Sequence, residues 1–211
     1  MKQSAIALLC VSLLSSTCVL AGCESTAWTV VRQTQPNPLL DQRNWVVEPL
    51  SFDGAIVDGE PIGVYLSSRD QARRMGDPRF QRDLRTDLVR MNEAFVWRLV
   101  SEAGPLHFTP SMTASSADTR AFRIRAIIHG ISTGQPRGYP SFGSSNALAQ
   151  AFLTLTLLDP EGRELDVVDL QTELQPDAPP MTSAGPFGEC GATIAEIAVG
   201  YLATRVDTMT R

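Results

Sequence analysis

Lysine is all but absent: Lys2 is the only one in 211 residues. The body of the chain therefore has no P-loop lysine, no Schiff-base lysine and no Ser-Lys dyad. Histidine occurs twice, as His107 and His129, each inside a strand-like stretch and with no second ligand at zinc-like spacing. No metal and no cofactor are expected. Cysteine is scarce too: Cys10, Cys18 and Cys23 crowd the amino terminus, and Cys190 stands alone. Once a leader is removed and Cys23 is modified, no pair is left for an intramolecular disulfide, even in an oxidising compartment. The amino-terminal apolar run, Ala5 to Leu14, is ten residues long. That is well short of the roughly 20 needed to span a bilayer. Positive charge is also in deficit, with a formal net charge of −5. Nucleic-acid binding, which favours basic chains, is not expected.

What the amino terminus does contain is an export signal. Lys2 supplies the positive start, "AIALLCVSLL" the short apolar core, and small residues follow. Leu20-Ala21-Gly22-Cys23 then has the form of a bacterial lipobox, with cleavage between Gly22 and Cys23 and acylation of Cys23. Ordinary secretion after Gly22 and an uncleaved helix are the bland alternatives, and "LSSTC" ending at Cys18 fits the motif less well. Two or more acyl chains make a stable anchor. Glu24 follows the cysteine in place of the Asp that retains lipoproteins in the inner membrane, which points to the periplasmic face of the outer membrane. The expected division is a signal peptide over 1–22, a lipidated cysteine and tether over 23–44, and one domain over 45–211. Without the signal the chain carries 17 arginines and 23 acids, a net charge of −6.

Within 23–44, Pro36-Asn37-Pro38 excludes helix, although Trp28, Val30 and Val31 suit a short strand or a packing contact. "WVVEPLSF" reads as a β-segment with turns at Asp53-Gly54 and Asp58-Gly59 after it. "PIGVYLSS" alternates Ile62, Val64 and Leu66 as a half-buried strand does. Asp77-Pro78 is a helix start, an N-cap followed by proline at the first helical position. Phe80, Leu84, Leu88, Met91, Phe95 and Leu99 then make one apolar stripe. "LHFTPS" and "AFRIRAIIHGISTG" read as strands. "QAFLTLTLLDPEGRELDVVDLQTEL" reads as a hairpin turned at Asp159-Pro160-Glu161-Gly162. A closing helix carries Ile194, Ala198, Leu202, Val206 and Met209. The order β-β-α-β-β-β-β-α predicts an α+β fold: a mixed or mainly antiparallel sheet with two amphipathic helices on one face.

Catalytic signatures fail one by one. Gly138 to Gly143 reads G-Y-P-S-F-G, with its serine one place too late for a nucleophile elbow. Gly185, Gly188 and Gly191 do not match a dinucleotide fingerprint. Cys190 at a helix start has two readings, a reactive thiol or dimer disulfide, and a small buried apolar residue. Eight arginines between Arg69 and Arg98 face five acids. Arg73, Arg74, Arg82 and Arg85 are the heart of this basic patch, either a solvated helix face or a docking surface for anionic lipid or an acidic partner. The long connection Ser132 to Asn146 carries Arg137, Tyr139 and Phe142, the candidate contacts for a protein partner.

Taken with "PNPLLDQRNWVVEPLSFDG", "VYLSSRD", "LTLTLLDPEGREL" and "IAEIAVGYLATRV", the chain resembles a group of uncharacterised bacterial lipoproteins, in which a lipobox and an Asn-Pro tether precede one small α+β domain. At fold level it is distantly similar to periplasmic lipoproteins that activate penicillin-binding proteins or build the curli secretion pore. The resemblance implies a non-enzymatic envelope component that binds an unknown envelope protein or self-associates. A lipid- or ligand-binding lipoprotein is the alternative reading, and an envelope hydrolase comes behind it.

Overall fold

Alternation along three long strands builds the centre of the sheet. The computed structural model describes residues 28–76, 84–102, 106–114, 120–132, 149–174 and 185–206. In β6 (Phe122–Ser132) Ile124, Ala126 and Ile128 are fully buried, and in β7 (Ala149–Leu158) Ala151, Leu153 and Leu155 repeat the pattern. β8 (Glu164–Leu174) contributes Val168 and Leu170 to the same face. The turn between β7 and β8 falls where the sequence places it. Gly162 takes a φ of 83°, and its N–H donates to the Asp159 carbonyl at 2.9 Å. The Asp159 carboxylate accepts from the Arg163 N–H at 2.8 Å and from its Nε at 2.6 Å.

The sheet is mixed. β1 (Trp28–Arg32), β2 (Asn44–Val47) and β5 (His107–Pro110) complete the order β1-β8-β7-β6-β2-β5. β2 runs parallel to both β5 and β6, whereas β1, β8, β7 and β6 pair antiparallel. A two-residue hairpin of β3 (Ile56–Val57) and β4 (Glu60–Pro61) adds to the far end of β6 through Ile56 and Val57. Asp58 and Gly59 both have positive φ in its turn, 49° and 82°, as a tight hairpin of this twist requires.

Three helices pack against this open sheet: α1 (Ile62–Arg74), α2 (Leu84–Glu102) and α3 (Gly185–Val206). The fold class is α+β, with one helix more than the sequence pattern suggested. "PIGVYLSS" is the start of α1 and not a strand. Ile62 and Leu66 fit either period, but Val64 is 54% exposed while Tyr65 is buried. Ile62, Tyr65, Leu66 and Arg69 are the stripe of a helix, and no turn signal interrupts the run before Gly76. The apolar stripe of α2 is as expected from Leu84 to Leu99; Asp77, Pro78 and Phe80 lie outside the described residues. In α3, Ile194, Ala198, Leu202 and Val206 are buried, with Tyr201 beside them, while Met209 lies outside the described residues.

Residues 28–44, expected as tether, are docked from Trp28 onward. Trp28 pairs with Leu170 and packs its ring edge-on against Tyr201 at 6.1 Å. Leu39 is fully buried. The proline pair interrupts regular structure without freeing the chain, because Thr34 and Asn37 replace the lost ladder with bonds to β8 and α3. Cys23 and Gly22 lie outside the described residues. No helix among the described residues is long and apolar enough to cross a membrane.

Candidate functional site

Polar residues buried inside the domain are used to hold it together. Asp166 on β8 is fully buried, and Arg205 on α3 is 5% exposed. Arg205 grips the carboxylate with both arms of its guanidinium, Nε to Oδ2 at 2.6 Å and Nη2 to Oδ1 at 3.3 Å. Tyr201 donates its hydroxyl to Oδ2 at 2.9 Å, and the Thr34 N–H donates to Oδ1 at 2.9 Å. Arg205 also reaches the Thr34 carbonyl at 3.0 Å, and Asn37 donates to the Arg205 carbonyl at 2.6 Å. Four donors on one carboxylate satisfy it in place of water. Burial, with the Asp166 carboxylate next to it, pushes the Tyr201 hydroxyl above its usual pKa and keeps it a donor. This group ties three elements together and has no opening toward a substrate in its hydrogen bonding.

Cys190 is buried in α3, and burial pushes its thiol up to about 12. The thiol is therefore the small apolar residue of the two sequence readings. A reactive thiolate needs the opposite shift and an open path.

The face of the sheet turned away from α2 and α3 holds the exposed functional groups. His129 on β6, Thr154 on β7 and Asp169 on β8 stand side by side. Thr154 donates its hydroxyl to Asp169 Oδ1 at 2.7 Å, and His129 Nε2 lies 2.8 Å from the same hydroxyl. With the threonine proton directed at Asp169, Nε2 is the donor. A histidine base for a threonine nucleophile would need the reverse polarity, and the carboxylate would orient the imidazole. The arrangement instead fixes the exposed His129 and Asp169 and the half-buried Thr154 in one row across three strands. Further down β6, Arg125 donates to Glu48 at 2.7 Å, with Arg123 at 3.9 Å from the same carboxylate. The Glu48 bond raises the Arg125 pKa.

At the other end of this face Phe152 is 41% exposed, and Ile56, across β6 from it, is 42% exposed. Gly130 lies between them. The Phe152 ring lies against it, where a Cβ would meet the ring at 3.5 Å, an ordinary van der Waals distance. Phe152, Thr154 and Asp169 were not singled out from sequence. The signal was present in "QAFLTLTLL", where Phe152, Thr154 and Thr156 alternate with leucines that fill the core.

The basic patch is partly assembled. Asp70 on α1 receives Arg85 of α2 at 3.2 Å and Arg73 at 3.6 Å, while Arg74 Nε donates to its carbonyl at 3.3 Å. Arg69 stacks over the Tyr65 ring at 4.7 Å. Arg82 lies outside the described residues, as do Arg137, Tyr139 and Phe142. His107 is exposed on β5 and apart from His129. Among the described residues no group of three or more His, Cys, Asp or Glu could hold a metal ion.

No protein family and no curated protein sequence matches the chain. Solved structures do share the course of its backbone at a distance. The PelC dodecamer from Paraburkholderia phytofirmans aligns with a TM-score of 0.40 at 11% identity, over 81% of this chain and 96% of that one. A variant of the same protein gives 0.41 and 12%, over 85% and 99%. A crystal structure of an uncharacterised protein gives 0.38 and 11%, over 82% and 95%.

Proposed function

We propose that this protein is a lipid-anchored component of the bacterial envelope, attached through Cys23 to the periplasmic face of the outer membrane. Its domain binds an envelope protein or a second copy of itself and carries out no chemistry. The observation that carries this reading is the open face of the sheet. Phe152 and Ile56 expose apolar surface there, beside the row His129–Thr154–Asp169 that is already fixed by hydrogen bonds. Aromatic residues within a preorganised polar surround favour binding, because little side-chain entropy is lost on contact. The role of Arg137, Tyr139 and Phe142 as further contacts belongs to the same proposal.

The test is a photo-cross-linking residue placed at Phe152 in cells, with Ala203 on the exposed side of α3 as the control position. A discrete adduct, with an envelope protein or with a second copy of the chain, is expected from position 152 and none from 203. Equal patterns from both positions, or no adduct from 152, would contradict the proposal.

A further inference from the structure

We propose that the basic corner between α1 and α2 docks on anionic phospholipid headgroups of the leaflet that holds the acyl chains. The inference rests on the lipid-anchor reading and adds an orientation to it. Only four residues separate Cys23 from β1 at Trp28. Five extended residues reach at most about 18 Å, so the acyl chains hold the domain close.

The end of the domain held closest is set by strand direction. β1 pairs antiparallel with β8, starting at Trp28 opposite Leu170, so the chain enters the sheet from the end at which β8 finishes. β6 finishes at that end too, and the β3–β4 hairpin pairs with its last residues. α3 begins there and runs back, because Tyr201 and Arg205 near its far end meet Asp166 at the start of β8. α2 runs parallel to α3, with Met91 over Gly191 and Arg98 bonded to Glu196. The amino-terminal turn of α2, with Arg85, therefore lies at the anchored end, where Asp70 of α1 meets it.

Charge completes the case. Between positions 69 and 85 the described residues include four arginines, Arg69, Arg73, Arg74 and Arg85, against one aspartate, Asp70, on a chain whose net charge is −5. An acidic domain tethered near an anionic surface turns a basic corner toward it. Arg73 and Arg85 are about half exposed, 45% and 56%, and Met75 at the end of α1 is 79% exposed. Arginines beside an exposed apolar side chain suit the headgroup boundary, and each arginine near the surface raises affinity about fivefold.

Hydrogen exchange on the acylated protein tests this. Tyr65 is the one buried residue of α1, so the amides of this helix report readily on a new contact. The protein is reconstituted in vesicles of phosphatidylcholine, alone or mixed with phosphatidylglycerol. Exchange across Ile62–Arg74 is expected to slow about tenfold on the anionic vesicles only. High salt and the pair Arg73→Glu with Arg85→Glu should both abolish the slowing, whereas Arg163→Glu in the β7–β8 turn should keep it. Unchanged β7 exchange shows that the variant is folded. Equal exchange on both vesicles, or slowing that survives charge reversal, would overturn the proposal and leave the corner to an acidic protein. Failure to attach to either vesicle would overturn the anchor reading, and the docking with it.

Discussion

Asp166→Ala is expected to lower the unfolding free energy by about 3–5 kcal/mol, the cost of leaving one half of a buried ion pair uncompensated. The carboxylate is fully buried, and four donors depend on it. Its loss strands the Arg205 guanidinium in the core, together with the Tyr201 hydroxyl and the Thr34 N–H. For a chain of this length the drop corresponds to a fall in Tm of about 6–20 °C. Arg205→Met alone should cost a similar amount. Asp166→Leu combined with Arg205→Met should recover much of the loss, because no unpaired charge is left. Urea unfolding of the four proteins gives the comparison. A single-variant loss below about 1 kcal/mol would show that water reaches the pair.

Gly191→Ala should also destabilise the fold, although alanine is the better helix former by about 1 kcal/mol. A Cβ at this position would lie 2.0 Å from the Met91 carbonyl oxygen and 2.9 Å from its carbon. Both are backbone atoms of α2 and cannot rotate aside, so the two helices must separate. Overpacking of this kind costs about 1–3 kcal/mol and occasionally more. Gly191→Val should leave little folded protein. Gly200→Ala is the control on the same helix, since a Cβ there meets only the Trp28 ring at 3.5 Å. Its stability should change by less than about 1 kcal/mol. Thermal melts of the two alanine variants decide the matter: equal stabilities would mean that α2 and α3 are free to shift.

Both results bear on what the sequence discloses. The strands from Phe122 to Leu174 are legible because each buries one face, and a period of two is hard to mistake over ten residues. The stripe of α2 is legible for the same reason. α1 is not, because Ile62 and Leu66 satisfy both periods and only the burial of Tyr65 separates them. The docking of residues 33–39 is hidden because it depends on Asp166 and Arg205, which are 39 positions apart and touch only once β8 and α3 are assembled. Nothing local separates Asp166 from Asp169, since the strand "ELDVVDL" has an aspartate on each face. The close crossing at Gly191 gives no local sign, because a glycine near a helix start looks like a loop residue. The open face was half legible: threonine and phenylalanine alternate with leucine along β7, but the His129–Thr154–Asp169 row needs the strand register to bring it together.

With so short a reach from Cys23 to β1, an anchor at Cys23 would set both the orientation of the domain and the access to its open face. Mass spectrometry of the protein extracted from the envelope tests it most directly. The expected result is a mature chain that begins at Cys23 and carries acyl chains on that residue. A chain that begins elsewhere, or an unmodified Cys23, would contradict it.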